Sequence, residues 1–177
     1  MKKRLLTILG TAAVALAAAT VALGATTLNP TANITGAAGI SMTLPSDPSI
    51  SDTLDGTDHI ASWSAFLGIV DARGSGAGWN LTVSASTFSD GLGHTLAPGT
   101  LTGVTSACRA GNSCTAATNA VTYPLPLSGT AAKFFNSAAN TGLGKIDVTP
   151  SVDVAIPGNA YAGTYTSTVT LSAVSGP

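Results

Sequence analysis

The sequence predicts an all-β protein, a single β-sandwich of about eight to ten short, mostly antiparallel strands. Three observations support this fold class. Apolar residues make up 45% of the chain and recur in short alternating runs, the pattern of strands with one buried face. Turn signals separate these runs, with 20 Gly and 9 Pro in the chain. Charged residues are only 8% and glutamate is absent, which argues against long surface helices.

The first residues have the character of a secretory signal peptide, predicted to span residues 1–25. A basic start, Lys2–Arg4, precedes an apolar run over Leu5–Leu23, and small residues surround the predicted cleavage before Thr26. The alternative is an uncleaved membrane anchor, because the run almost reaches the length of a bilayer span. Both interpretations predict an extracellular, cell-surface location, and cleavage would leave no membrane span.

Residues 26–33 are predicted to be a flexible lead-in, and residues 34–177 to form the folded domain. This domain begins with two short strand-like pieces within Asn33–Leu44, which glycines separate. A polar loop follows over Pro45–Asp58. Its four aspartates suggest a calcium site, but their spacing does not match an EF-hand loop and no glutamate is available as a bidentate ligand. We favour turn-capping aspartates, and no metal site is predicted.

The most apolar stretch after residue 25, Ile60–Val70, is predicted to be one central strand, because apolar side chains fall on both of its faces. A turn with glycine at every second position follows within Asp71–Gly78. Trp79–Ser86 alternates apolar and polar residues, so it is predicted to be the next strand of a hairpin. An ion pair between Asp71 and Arg73 is expected at the surface of the turn, where it would add little stability.

The middle of the chain carries weaker strand signals. Phe88–Pro98 is predicted to be a turn-rich connection, and Leu101–Ser106 a short strand. Val121–Leu127 alternates but contains two prolines, so it is predicted to be an edge strand or an unpaired extended segment. Ala131–Phe135 fits either a strand or one helical turn.

Three further strands are predicted towards the end of the chain. Gly144–Thr149 and Val152–Ile156 are expected to be separate strands broken at Pro150. The last and longest run is Thr164–Ser175, with apolar residues on one face and a row of hydroxyls on the other. We interpret the hydroxyl row as an ordinary solvated face, with binding of ordered water or glycan as the alternative.

Cys108 and Cys114 are the only cysteines of the chain. In an oxidising compartment, such a closely spaced pair is predicted to form a disulfide that closes a small loop. A metal site is not predicted here, because both histidines are distant in sequence and there is no second pair of cysteines. No cofactor is predicted either.

Charge and residue types argue against two classes of function. Part of the basic charge lies in the predicted signal peptide, and the remaining basic residues are scattered, so the basic surface of a nucleic-acid-binding protein is missing. An enzyme is not predicted, because the two histidines and eight aspartates are spread over separate turn segments. The basic residues that remain are Arg73, Arg109, Lys133 and Lys145.

The segment Val70–Ala85 contains the run D-x-R-G-x-G-x-G-W-x-L. This run resembles the proximal motif of the WxL-domain surface proteins of Gram-positive bacteria, and the resemblance covers about residues 34–177. The distal motif of that family is only partly kept, since Leu171 replaces the family's Trp and Ala173 replaces its Leu. The positions of the distal motif that stand in register are Tyr165, Val169, Thr170 and Pro177.

The resemblance implies a secreted β-rich domain that attaches non-covalently to the cell wall through peptidoglycan, often within multi-protein surface complexes. Two roles are open for Trp79, a ring buried in the core or a ring exposed for stacking on glycan. The replaced Trp bears on wall binding more than on the fold. The binding residues that the resemblance implies are Trp79, Leu81, Tyr165, Val169, Thr170 and Pro177.

Two functional hypotheses result. The first is a secreted, non-catalytic cell-surface protein whose partner is a cell-wall polymer or another surface protein. The second is a structural subunit of an extracellular fibre or coat, in which copies of the chain assemble by pairing of strand edges. The long final strand favours the second hypothesis, because it lacks the charged side chains that guard an edge against pairing.

Overall fold

The computed structural model describes residues 30–177, so the predicted signal peptide lies outside the described residues. Ile34–Pro177 forms one compact unit. Within residues 30–177 all regular secondary structure is β-strand. The strands, in chain order, are β1 Ile40–Thr43, β2 His59–Ser64, β3 Leu67–Asp71, β4 Trp79–Ala85, β5 Phe88–Ser89, β6 Thr95–Leu96, β7 Thr100–Cys108, β8 Leu125–Pro126, β9 Ala132–Ser137, β10 Gly144–Ile156 and β11 Val169–Ser175.

These strands form two main sheets and one small hairpin. The larger sheet has the order β1-β3-β10-β7-β8, and β2 pairs with β10 beside β3. The smaller sheet has the order β11-β4-β9, and β5 pairs with β6. Every pairing between these strands is antiparallel. The all-β sandwich predicted from the sequence is confirmed.

One hydrophobic core joins the two main sheets. Its buried side chains come from β3, β7 and β10 of the larger sheet and from β4 and β9 of the smaller one. Strand β4 shows why the sequence folds this way, because its burial alternates strictly between buried and half-buried positions. The buried positions of β4 are Trp79, Leu81, Val83 and Ala85.

Strand β10 runs unbroken through Pro150, so the prediction of a break at this proline is wrong. It pairs with β7 along one edge, and with both β2 and β3 along the other. The Pro150 carbonyl accepts a hydrogen bond from the Ala65 N–H at 3.3 Å. The N–H that proline lacks belongs to this same edge, where β2 ends and β3 begins. The missing donor therefore falls in the gap between two partner strands.

The same gap explains why a single strand over Ile60–Val70 is a wrong prediction. This stretch forms β2 and β3, which lie end to end along β10 and are interrupted opposite Pro150. The predicted hairpin with the next strand is also wrong, because β3 and β4 belong to different sheets. The glycine-rich turn within Asp71–Gly78 crosses from one sheet to the other, and both strands contribute to the core between them.

The other predicted strands differ from the observed strands mainly in length. The predicted strand over Thr164–Ser175 is wrong in its first half, where Thr166 makes only an isolated bridge to the end of β5. Only one of the two pieces predicted within Asn33–Leu44 is a strand, β1. Ala131–Phe135 belongs to a strand, β9, rather than to a helical turn. Val121–Leu127 contributes only the short β8, at the edge of the larger sheet.

The predicted disulfide between Cys108 and Cys114 is confirmed, with 5.6 Å between the two Cα atoms. It closes a loop that follows β7. Cys114 also forms an isolated bridge with Gly144, the first residue of β10. The disulfide loop is therefore anchored to the same central strand that organises the larger sheet.

Candidate functional site

The proximal and distal motifs lie on neighbouring strands of the smaller sheet. Proximal Trp79 and Leu81 belong to β4, which pairs along its whole length with β11. In this register Leu81 lies opposite Ala173, and Val83 lies opposite Leu171. The fold therefore brings together two motifs that are far apart in the sequence.

Trp79 is a core residue, which answers the question that the sequence left open. Its side chain has 0% exposed surface, and its ring centroid lies 5.6 Å from that of Phe135. The indole Nε1 donates a hydrogen bond to the Gly142 carbonyl at 2.9 Å. Leu81 is also fully buried. A wall polymer has no access to either side chain, so both act through the fold.

The backbone lies close to the Trp79 indole, and two glycines make this approach possible. Gly142 has a φ of +70°, and a Cβ at this position would lie 2.7 Å from Trp79 Nε1. Gly78 has a φ of +72°, and a Cβ there would lie 2.5 Å from the Ser137 carbonyl oxygen. Both positions therefore require glycine for steric and conformational reasons.

Arg73 links the glycine-rich turn to the end of β11. Its Nε and Nη2 donate to the two carboxylate oxygens of Asp71, each at 2.8 Å. Nη2 also donates to the Gly78 carbonyl at 2.8 Å, and Nη1 donates to the Ser175 hydroxyl. Asp71 is 1% exposed, so the expectation of a surface ion pair is wrong. The hydrogen bonds from Arg73 hold the pKa of Asp71 below its ordinary value.

The end of the chain is tied to the same turn. The Gly176 N–H donates to the Gly78 carbonyl at 3.1 Å, and the Asn80 side-chain amide donates to the Gly176 carbonyl at 2.8 Å. Pro177 follows and is exposed. The proximal motif and the end of the distal motif therefore form one connected hydrogen-bonded unit with Arg73.

A groove lies between the loop within Pro45–Asp58 and the segment that leads into β11. It consists of two adjoining cavities of about 620 and 340 Å³. Ile50, Phe88 and Tyr165 line both cavities, whereas Val169 and Leu171 line the smaller one. Part of the distal motif region therefore faces the groove, through Tyr165, Val169 and Leu171.

The groove has an aromatic and weakly acidic lining. The chain has few aromatic residues, 5% in all, yet several of them meet here. Among residues 30–177, the charged groups that line the two cavities are Asp47 and Asp52, with no lysine or arginine. Such a surface suits an uncharged ligand with apolar faces and hydrogen-bonding edges. The aromatic lining residues are Trp63, Phe88, Tyr161 and Tyr165.

His59, the first residue of β2, fixes the loop that forms one wall of the groove. Its Nδ1 lies 3.0 Å from Asp52 Oδ2, and its Nε2 lies 3.0 Å from Asp55 Oδ1. Only a protonated imidazole carries an N–H at both positions. The bonds to Asp52 and then to Asp55 raise the pKa of His59, and the bond from His59 lowers the pKa of Asp52. Bonds from Thr57, followed by those from His59, lower the pKa of Asp55 to about 2.

We expect the protection factors of the amides in residues 51–57, which correct hydrogen exchange for its intrinsic pH dependence, to be highest between about pH 4 and about pH 6.5. The raised pKa of His59 adds stability that is complete below the ordinary value of 6.5 and is lost as pH rises through the raised value. The lowered pKa values of the two aspartates add stability above 3.8 that is lost as pH falls.

The matched variant for this pH effect is His59→Gln, which keeps a polar side chain but cannot titrate. Its loop should exchange faster at about pH 5.5 and show no further loss of protection towards about pH 8. Protection that stays constant in the wild type across this range, after correction for intrinsic exchange, would contradict the role given to His59.

The remaining motif residues lie outside the groove. Thr170 is exposed on the outer face of the smaller sheet, opposite Ser84, and Pro177 lies beyond the end of β11. Sequence reasoning missed two groove residues, Tyr161 and Trp63. The spacing of Tyr161 four residues before Tyr165, directly ahead of the final strand, is the signal that could have drawn attention to it.

Neither a metal centre nor a membrane-spanning helix occurs in the part of the chain that the structure describes. Within residues 30–177, no three His, Cys, Asp or Glu side chains are arranged to hold a metal ion. The same range has no helix with the length and apolar character needed to cross a bilayer.

Comparison with known proteins places the chain in a family. The model of the family described as "WxL domain surface cell wall-binding" matches residues 48–175, which include β2 to β11, the proximal motif and the distal motif except Pro177. A search of curated proteins finds no match. A solved chain from "Chaperone-tip adhesin complex is vital for synergistic activation of CFA/I fimbriae biogenesis" is 17% identical with a TM-score of 0.45. That alignment covers 78% of this chain and 42% of the solved chain, so this chain spans less than half of it. The match over residues 48–175 shows that the chain belongs to the WxL domain surface cell wall-binding family, whose members associate with the cell surface.

Proposed function

We propose that this protein is a secreted, non-catalytic surface protein that attaches to the cell wall by binding the glycan strand of peptidoglycan in the groove. The main observation that supports this proposal is that Tyr165, Val169 and Leu171 of the distal motif line the groove. Trp79 and Leu81 of the proximal motif, in contrast, are buried in the core. Secretion to the extracellular side rests on the signal peptide predicted for residues 1–25.

The chemistry of the groove supports a glycan ligand. Sugar rings offer apolar C–H faces to aromatic side chains and hydroxyl groups to carboxylates and backbone groups. Asp47 and Asp52 place negative charge along the groove without a basic residue among its lining groups. Like charges across an interface oppose binding, so wall polymers that carry phosphate are disfavoured.

The proposal of a non-catalytic role is supported by the partners that seven of the eight aspartates have within the protein. Asp71 and Asp147 are paired with arginines, and Asp52 and Asp55 contact His59. Acid–base catalysis requires a carboxyl or imidazole group positioned for a substrate. Three other aspartates have partners within the protein: Asp58 with the Gly158 N–H, Asp90 with His94, and Asp153 with Ser62.

We expect the secreted wild-type protein to sediment with purified peptidoglycan sacculi as a monomer, and Tyr165→Ala to bind at least about tenfold more weakly. Tyr165 lines both cavities, so its loss removes contact area along the whole groove. The matched control is Thr170→Ala on the outer face of the same region, which should bind like the wild type. The proposal would be overturned if neither the wild type nor Thr170→Ala sedimented with the sacculi. It would also be overturned if folded Tyr165→Ala bound the sacculi as tightly as the wild type.

A fibre or coat subunit is the second candidate, and one observation favours it. In the described part of the chain, β11 pairs with β4 alone, and its residues Val169–Ser175 carry no charge. Such an edge is open to pairing with another copy. Assembly of the pure protein with rising concentration, without any wall material and without binding to sacculi, would favour this candidate.

A further inference from the structure

We infer that the groove holds two consecutive repeats of an uncharged glycan strand, one in each cavity, with Tyr161 and Trp63 as the sugar-stacking residues. This inference rests on the function proposed above and adds to it the length of glycan that is recognised and the two rings that recognise it. The argument uses the support beneath Tyr161, the position of Trp63 and the residues shared by the two cavities.

Tyr161 lines the larger cavity and is 64% exposed, which is unusual for a ring held in place. It stacks on His94, with ring centroids 3.8 Å apart and planes inclined by 16°. One face of the Tyr161 ring is therefore covered by the imidazole, while the residue as a whole stays exposed. Stacking against a second ring orients Tyr161 without burying it.

His94 is itself held in place by Asp90. Its Nδ1 lies 2.5 Å from Asp90 Oδ2, and the other carboxylate oxygen of Asp90 accepts the N–H groups of Leu92 and His94 at 2.8 and 3.0 Å. The Asp90 side chain is only 5% exposed. The Tyr161 carbonyl also accepts the Tyr165 hydroxyl at 3.0 Å. An exposed aromatic ring that is already ordered loses little conformational entropy when a ligand stacks on it.

Trp63 supplies the corresponding ring in the smaller cavity. It lies on β2 opposite Val152 of β10, is partly buried against the core, and keeps part of its surface towards the groove. Leu171 lines the same cavity. The side chain of Trp63 thus provides an aromatic surface beside the aliphatic lining of this cavity.

The two cavities adjoin at Ile50, Phe88 and Tyr165, which line both. Their volumes of about 620 and 340 Å³ are each of the size that holds a small molecule. A continuous strand that fills both cavities makes the second contact within one molecule, so its affinity exceeds that for a fragment that fills one. Asp47 and Asp52, one in each cavity, disfavour anionic repeats in both.

Calorimetry with uncharged N-acetylglucosamine oligomers of defined length, which lack the lactyl carboxylate that peptide-free muramic acid fragments carry, tests this inference. For the wild type we expect affinity to rise at least about tenfold from one disaccharide repeat to two, and to change little with further repeats. Tyr161→Ala should abolish this rise in affinity, so that longer fragments bind as weakly as the single repeat. Tyr161→Trp should retain it, because a ring remains on His94. Trp63→Phe, chosen because alanine would open a gap beside the core, should reduce the rise in part.

The matched control is Leu92→Ala, in the same turn as His94 but 83% exposed and outside the groove lining. This variant should show the same rise in affinity from one repeat to two as the wild type. A wild type that binds sacculi yet binds one and two repeats equally would overturn the two-repeat inference alone. If folded Tyr161→Ala kept the full rise in affinity from one repeat to two, the two-repeat inference would also be overturned. A wild type that binds neither sacculi nor fragments would instead overturn the proposed function.

Discussion

Arg73→Ala is expected to lower the free energy of unfolding by about 3–5 kcal/mol, the range for removing one partner of a buried ion pair. The Asp71 side chain has 0% exposed surface and the Arg73 side chain 10%. The substitution leaves the Asp71 carboxylate buried without its counter-ion and releases the contacts of Arg73 with Gly78 and Ser175. Urea denaturation followed by circular dichroism measures the change.

Arg109→Ala is the matched control for this prediction. Arg109 donates to Asp147 at 2.7 Å, but the side chains are 32% and 17% exposed, so the expected loss is at most about 1 kcal/mol. The effect of Arg73→Ala should also shrink as pH falls below 3.8. The lowered pKa of Asp71 stabilises the wild type only while its carboxyl is ionised. Equal losses for both arginine variants, independent of pH, would contradict the importance of the buried pair.

Trp79→Ala is expected to destabilise the sandwich by about 3–5 kcal/mol, because it removes a large, fully buried ring from between the sheets. It also leaves the Gly142 carbonyl without the donor at 2.9 Å. The same urea titration measures the change. Trp79→Phe keeps an aromatic ring beside Phe135 but loses the N–H donor and part of the ring volume, so a smaller loss of about 1–3 kcal/mol is expected.

The comparison between these two Trp79 variants measures the contribution of a buried aromatic ring, because both variants lose the hydrogen bond to Gly142. A smaller loss for Trp79→Phe than for Trp79→Ala follows from the burial of the ring. If Trp79→Ala unfolded at the wild-type urea concentration but failed to bind sacculi, the ring would have to contact the ligand directly. That outcome would contradict its position in the core.

The period of two in the sequence was sufficient to predict β4 and the all-β fold, because side-chain alternation directly encodes which face of a strand is buried. The break opposite Pro150 could not be predicted in the same way. Whether a missing N–H interrupts a strand depends on which partner faces that edge, and the partners β2 and β3 are distant in sequence. The sheet crossing after β3 was missed because a glycine-rich turn is equally compatible with a hairpin.

Sequence reasoning named the motif residues of the site but could not separate their roles. Arg73 contacts Ser175, which the pairing of β4 with β11 brings close to it, so the setting of the Asp71–Arg73 pair depends on residues distant in the sequence. The groove arises where the loop within Pro45–Asp58 meets the segment before β11, so Tyr161 and Trp63 become neighbours of one cleft only in the folded chain. Local patterns carry no information about such a juxtaposition.

The most direct test of the separate roles of the two motifs is the dissociation constant for purified peptidoglycan sacculi, measured on folded Trp79→Phe and folded Tyr165→Ala. We expect Trp79→Phe to bind like the wild type despite its lower stability, because its ring is buried. Tyr165→Ala should bind at least about tenfold more weakly with stability within about 1 kcal/mol of the wild type. The opposite pattern, weak binding by Trp79→Phe and full binding by Tyr165→Ala, would contradict a binding groove formed by the distal motif on a fold stabilised by the proximal one.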